Sequence, residues 1–340
     1  MKTRKIGNLE VSNVGMGCMG FSHGYGQIPE REYSIEAIRK AYAFGCTFFD
    51  TAEGYGNVLY YAGHNEEILG EAVEVFRDHV ILATKFHLGD EKYNSVDELY
   101  DIIVAHFNQS CKNLRTDYID LYYLHRINEN IPVEDIAAVM KRMIEEGKIK
   151  GWGMSQATID YIKRAQAVCP LTAIQNLYNM LERDCEAEIL PYLMENNIGL
   201  VPFSPIASGF LSGKVTSKTE FGVDDVRKFV PQLAKENIDR NQPILDLLEV
   251  YATKKNATKA QISIAWMLHK YPNIVPIPGS KNQERILENL GGGNIELTDE
   301  EFKQLDDTLN QCTVYGHRGH NESEQNSFGK NWQKAINKQG

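Results

Sequence analysis

Asp50, Lys85 and His125 each close a short, otherwise apolar run: Cys46-Thr47-Phe48-Phe49-Asp50, Val80-Ile81-Leu82-Ala83-Thr84-Lys85 and Tyr118-Ile119-Asp120-Leu121-Tyr122-Tyr123-Leu124-His125. Tyr55 follows five residues after Asp50, in Thr51-Ala52-Glu53-Gly54-Tyr55-Gly56. Any one of these reads as an ordinary strand-end polar residue. Together they are ionisable groups leaving apolar strands, and they must pair or bear a large desolvation cost. A phenol beside an ammonium has the chemistry of a proton donor. At an effective dielectric of ~20, a unit charge at ~4 Å is worth about 4 kcal/mol, so Lys85 is expected to make Tyr55 more acidic, with Asp50 offsetting part. His125, as a hydrogen-bond donor, would hold a carbonyl oxygen against the Tyr55 hydroxyl and stabilise charge growing there.

Such a cluster needs strands that end on one side. Further buried runs occur at Lys150–Ser155, Leu171–Gln175, Ile198–Phe203 and Asn273–Ile277, and with a first strand near Ser12–Met16 the count is eight. Helix-period segments lie between them: Glu30–Phe44, Asn65–Phe76, Ser95–Leu114, Pro132–Glu146, Asp184–Asn196 and Thr258–Tyr271. No linker or composition break divides the chain. The expectation is an α/β fold, a single-domain (β/α)8 TIM barrel over residues 1–340, with the barrel proper at about 4–318 and a C-terminal tail at 319–340. Lys2–Val11, centred on Gly7-Asn8, reads as an N-terminal β-hairpin that plugs the barrel bottom. The gap between Phe203 and Ile277 is far longer than any other, so a long loop, a candidate lid, follows strand seven. The tail after Gln311 reads as loop with a short helix at Lys330–Ile336.

The 340 residues are 42% hydrophobic and 24% charged, which suffices for a large core without disulfides or metal. A net charge of −10 is the wrong sign for a nucleic-acid binder. No apolar run is long enough for a membrane helix, and the N-terminus lacks the apolar stretch of a secretory signal. Six scattered cysteines read as free thiols, which favours a cytoplasmic protein.

The segments Gly45–Gly56, the strand ending in Lys85, and Asp117–Arg126 make the chain resemble the aldo-keto reductases, NADPH-dependent (β/α)8 barrels, from about Arg4 to Arg318. The resemblance implies reduction of an aldehyde or ketone to an alcohol by hydride transfer from NADPH. Tyr55 would be the proton donor, Lys85 would tune it, Asp50 would hold Lys85, and His125 would orient the carbonyl. It also implies a cofactor site. Gly17, Cys18, Met19 and Asp50 would border the nicotinamide. Ser155 and Gln175 would hold its carboxamide beside Gln156, which stands where family members usually carry Asn or Glu. Phe203, often Tyr in the family, would stack on the ring within Phe203-Ser204-Pro205-Ile206. Ser208, Gly209, Leu211 and Lys214 would lie along the pyrophosphate. After strand eight, Gly279, Ser280, Lys281, Gln283 and Arg285 would receive the adenosine 2′-phosphate at a helix start, with Glu288 and Asn289 meeting the adenine. Many members have Lys in place of Gly279.

Two other functions fit parts of the pattern. An NADPH-sensing subunit with little turnover, similar to potassium-channel β-subunits, would share the barrel; the complete tetrad and the lack of an extension before the barrel favour turnover. A metal-dependent hydrolase would need a ligand cluster at the strand ends that the sequence lacks. Gly15-Met16-Gly17-Cys18-Met19-Gly20 matches a dinucleotide fingerprint, but Phe21–Pro29 cannot open the helix that motif requires. Cys312, His317 and His320 lack a fourth zinc ligand and read as a surface loop. Arg126 and Arg318 are candidates to meet an anionic substrate, or, for Arg126, to serve in a strand-end ion pair. Partners therefore reduce to a small-molecule carbonyl substrate, with oligomeric state open.

Overall fold

The computed structural model describes residues 1–222 and 225–319, so the expected helix at Lys330–Ile336 lies outside the described residues, as does His320. Gly7 takes φ +55°, where L side chains are strained, and turns the chain between β1 (Thr3–Ile6) and β2 (Leu9–Ser12), an antiparallel pair. The hairpin is a plug. Ile6, Leu9 and Val11 pack with Phe48, Ala83, Leu121, Tyr123, Ala173, Val201 and Val275 into one apolar cluster. Gly199 has no side chain because a Cβ there would come within 2.6 Å of Ile6.

Seven parallel strands follow one another in chain order: β3 (Met16–Gly17), β4 (Phe48–Asp50), β5 (Ile81–Phe86), β6 (Ile119–Leu124), β7 (Ile149–Ser155), β8 (Ala173–Gln175) and β9 (Gly199–Leu200). The expected eighth strand at Asn273–Ile277 is not a continuous ladder. Pro276 and Pro278 carry no N–H, so this segment closes the ring mainly with its carbonyls. Pro276 O accepts from Gly15 N at 2.9 Å and Pro278 O from Gly17 N at 3.4 Å, while Val275 N donates to Leu200 O at 2.9 Å. Single bridges, Leu200 to Ile274 and Gly17 to Gly279, join it to both edges.

Other expectations shift for local reasons. Ser12 belongs to the hairpin, where it pairs with Thr3, and the first barrel strand starts only at Met16. Pro202 interrupts strand seven after Leu200. The helices outside the sheet include α1 (Arg31–Phe44), α2 (His64–Val73), α3 (Val96–Leu114), α4 (Val133–Glu145), α5 (Ile159–Val168), α6 (Ile189–Glu195), α7 (Lys235–Arg240), α8 (Gln242–Lys255), α9 (Lys259–Lys270), α10 (Gln283–Gly291) and α11 (Asp299–Leu309). The expected helix at Asn65–Phe76 ends at Val73 because the chain tightens into a 3-10 turn, and Phe76 leaves helical geometry. The segment at Asp184–Asn196 likewise divides into a 3-10 turn and α6. The long loop after β9 contains α7 and α8, and it straps across to the loop after β3: Val226 N donates to Gly24 O at 2.9 Å, beside a bridge between Tyr25 and Asp225. None of the helices among the described residues is long and apolar enough to cross a membrane.

Candidate active site

Parallel register puts the polar strand ends at one level, since Gly17 pairs with Asp50, Lys85 with Tyr123, and Ser155 with Gln175. The Lys85 ammonium is fully buried and donates to Asp50 Oδ1 and to the Thr51 carbonyl, both at 2.6 Å, and to Tyr55 Oη at 3.3 Å. The second Asp50 oxygen accepts from Gln175 Nε2 at 2.8 Å. The loop that carries Tyr55 is pinned at several points. Thr51 N donates to Ala83 O at 2.9 Å and Glu53 N to Lys85 O at 3.1 Å. The Thr51 hydroxyl donates to Asn65 Oδ1 at 2.7 Å. Gly56, at φ +109°, turns the loop where a Cβ would lie 2.7 Å from Tyr61 O. His125 is fixed by its own N–H to Phe86 O at 2.8 Å, and its ring meets the Tyr55 ring edge-on with centroids 5.7 Å apart. The four expected groups therefore converge.

Their protonation corrects one expectation. Lys85 does favour the Tyr55 phenolate, but burial outweighs it and Asp50 opposes it, so the phenol lies above its ordinary value and not below. Tyr55 is held as a neutral donor. Burial pulls Lys85 down, yet Asp50 and Tyr55 together hold it above the usual lysine range, as a cation. Burial, reinforced by the charges of Arg126 and Lys85, drives His125 well below the usual histidine range, so it is a neutral imidazole with one N–H to give.

Cys18 is buried, with its N–H on Asp50 O at 2.9 Å, between Gly17 and Met19. Ser155 is buried beside Gln156, which adopts φ +54°; the Gln156 Oε1 is buried without a hydrogen-bond partner among the described residues. Phe203 is tied to β8 by its N–H on Asn176 O at 3.2 Å. Ser204, Ala207 and Ser208 all take positive φ, followed by Gly209 at φ +98°, so the segment that holds Pro205, Ile206 and Leu211 turns sharply. The Ser208 hydroxyl is another buried group without a partner among the described residues. Orphaned polar atoms at Gln156 and Ser208 suit a ligand that supplies amide and phosphate partners, so the residues present fit a nicotinamide dinucleotide.

The residues expected at the 2′-phosphate, the pyrophosphate and the adenine are dispersed among other partners. Lys281 Nζ donates to the carbonyls of Tyr25 at 2.5 Å and Gln27 at 2.6 Å, Lys214 pairs with Glu288 at 2.8 Å, and the Gln283 side chain meets Lys40 and Tyr33. Arg285 is exposed in the first turn of α10, which Asn282 caps by accepting from Arg285 N at 2.9 Å; Ser280 Oγ accepts from Asn282 N, and Asn289 is buried. Gly279 faces Gly17, and a Cβ there would lie 3.1 Å from Gly17 O, a tight contact. Among the described residues no cluster of His, Cys, Asp or Glu is arranged to hold a metal ion.

The sequence reading missed Glu53. Its Oε1 accepts from His87 N at 2.7 Å and its Oε2 meets His106 Nδ1 at 2.8 Å, so it ties the Tyr55 loop to the end of β5 and to α3. Its place in the Asp50–Tyr55 motif was a signal; His106, alone on a helix 53 residues away, offered none. A cleft of about 760 Å³ runs from His125 along Glu53 and Gly54 to His87 and His106.

The chain matches the family model described as the aldo/keto reductase family over residues 13–310. It is 34% identical over 316 residues to a probable aldo-keto reductase 1 of Glycine max, covering 92% of this chain and 90% of that one. It is 36% identical over 327 residues to an NADP(+) aldo-keto reductase, yakc, of Schizosaccharomyces pombe, covering 93% and 94%. Among solved structures it resembles a glycerol dehydrogenase of Gluconobacter oxydans, with TM-score 0.78, 26% identity, and coverage of 92% of this chain and 96% of that one.

Proposed function

The chain belongs to the aldo/keto reductase family, and from that premise we propose that it reduces an aldehyde or ketone to an alcohol with NADPH, as one barrel unit. The observation that carries this reading is the buried Lys85 ammonium, shared between Asp50 at 2.6 Å and Tyr55 Oη at 3.3 Å. When bound, NADPH supplies the hydride and thus the reducing power. The protein's own groups do the rest. His125 donates its N–H to the substrate carbonyl oxygen and sets its direction. Tyr55 Oη gives that oxygen a proton, and the adjacent Lys85 cation stabilises the phenolate left behind. Asp50, anchored by Gln175, keeps Lys85 charged and in place. Ser155, Gln156 and Gln175 would hold the carboxamide, Phe203 would stack on the ring, and Arg285 would meet the 2′-phosphate. An NADP(+) relative supports the cofactor. The six cysteines are all free thiols, which suits a reducing, cytoplasmic setting.

The test is a panel of small aldehydes and ketones with NADPH and NADH in parallel, followed by the nicotinamide absorbance. Tyr55→Phe is expected to lower turnover by ~10²- to 10⁴-fold while NADPH still binds. Equal turnover in this variant would refute the proton-donor role. Tight NADPH binding with no turnover of any carbonyl by the unaltered protein would establish the sensor function instead.

A further inference from the structure

Arg126 directly follows His125, and neither the family match nor the tetrad assigns it a task. Its guanidinium is half-buried at the mouth, where Nη1 donates to His125 O at 2.7 Å and reaches toward Ser155 Oγ at 3.5 Å. That leaves most of its five N–H donors for something else, and Arg126 pairs with no carboxylate among the described residues. Carboxylates at the strand ends and on the loops after them have other partners. Asp50 answers Lys85, and Glu53 accepts from His87 and His106. Glu182 accepts from Arg318 N at 2.6 Å and from Gln232 at 2.8 Å. Arg318, which is buried, adds a second positive charge close enough to disfavour that of Arg126. A chain of net charge −10 thus holds a cation beside its proton donor that has no ion-pair partner among the described residues. Keeping a half-buried guanidinium partly out of water without a carboxylate partner carries a cost that an anionic ligand would offset.

The geometry points to a substrate that is itself an anion: a short oxo-acid whose carbonyl sits between Tyr55 and His125 and whose carboxylate takes the fork of Arg126, with Arg318 adding charge. Planar, bidentate pairing of this kind is what distinguishes arginine from lysine. The inference rests on the proposed carbonyl reduction for the identity of the reacting group, but the anion site can be measured without it.

Two measurements test it. With NADPH, kcat/KM is compared for 4-oxobutanoate and butanal, which share a chain length. The unaltered protein is expected to favour the oxo-acid by about 10-fold or more, and Arg126→Met to reduce that ratio by about 10- to 100-fold, with Arg126→Lys in between. Calorimetry with succinate, which carries no carbonyl to reduce, is expected to show binding that weakens by a similar factor in Arg126→Met. A preference for butanal in the unaltered protein, or the same ratio in all three proteins, overturns the inference. If neither aldehyde is consumed while succinate still binds through Arg126, the proposed reduction fails and the anion site stands. If both aldehydes are reduced equally and succinate does not bind, the reverse holds. Should Arg126→Met fail to fold, the ratio and succinate binding in the unaltered protein and Arg126→Lys decide the matter.

Discussion

The floor and the mouth of the barrel are built from the same strands, two residues apart. On β4, Phe48 packs in the floor and Asp50 opens the mouth; on β5 the corresponding pair is Ala83 and Lys85, and on β8 it is Ala173 and Gln175. Because side chains alternate along a strand, residues i and i+2 face the same way, so each row passes from hydrocarbon to polar group within about 7 Å. The floor is held by non-directional burial, closed by Ile6, Leu9 and Val11 of the hairpin. The mouth is held by short, directional hydrogen bonds around one buried cation. The floor should therefore yield stability without chemistry, and the mouth both together.

The largest expected break is at Lys85. Lys85→Met strands Asp50 as a buried, unpaired carboxylate, at a cost of ~3–5 kcal/mol by analogy with other buried pairs. It should also cut carbonyl turnover by ~10²-fold or more. Urea unfolding and the aldehyde assay on one preparation check both, and a loss in only one of them would show that the ion pair is either purely structural or purely chemical. In the floor, Ile6→Ala should cost ~2–5 kcal/mol through the cavity it leaves, with kcat per folded molecule unchanged. A fall in kcat at full folding would show that the two ends are coupled.

The smallest effect lies at the edge of the mouth, at the tie from the Tyr55 loop to α3. The Glu53 carboxylate, helped by Glu91, raises the His106 imidazole above its ordinary value despite partial burial. A histidine raised on folding contributes stability that is complete below its unfolded value and lost as pH rises through the folded one. His106→Gln should therefore cost about 1 kcal/mol at about pH 5.5 and close to nothing at about pH 9. A cost that is equal at both values would mean the contact acts through packing and not charge.

Much of this was legible without coordinates. The alternating apolar runs marked the strands, and helix starts were readable where caps are local, as with Ser95, whose hydroxyl accepts from Glu98 N. The tetrad could be read because each member ends or closely follows a strand, and strand ends in a parallel barrel share a level. What escaped depended on partners distant in sequence. The eighth strand looked regular as a run, but Pro276 and Pro278 deny it a ladder. The long loop could be expected from length alone, whereas its tie to Gly24 and Tyr25 joins segments about two hundred residues apart. Lys281 was a fair phosphate ligand by charge, yet its ammonium is held by two carbonyls of that distant loop.

By itself, then, the sequence determined in what order the elements come and that Asp50, Lys85 and His125 close strands, because strand and helix periods and the polar residues that interrupt them are local properties of the chain. Only the tertiary structure decided how those residues are charged. The Tyr55 phenol rises above its ordinary value because the surrounding protein removes it from water more strongly than Lys85 favours its anion. Arg126 pairs with no carboxylate among the described residues, while Asp50 is taken by Lys85 and Glu53 by His87 and His106. Burial and pairing are sums over neighbours in space, and neighbours in space are what folding alone assigns.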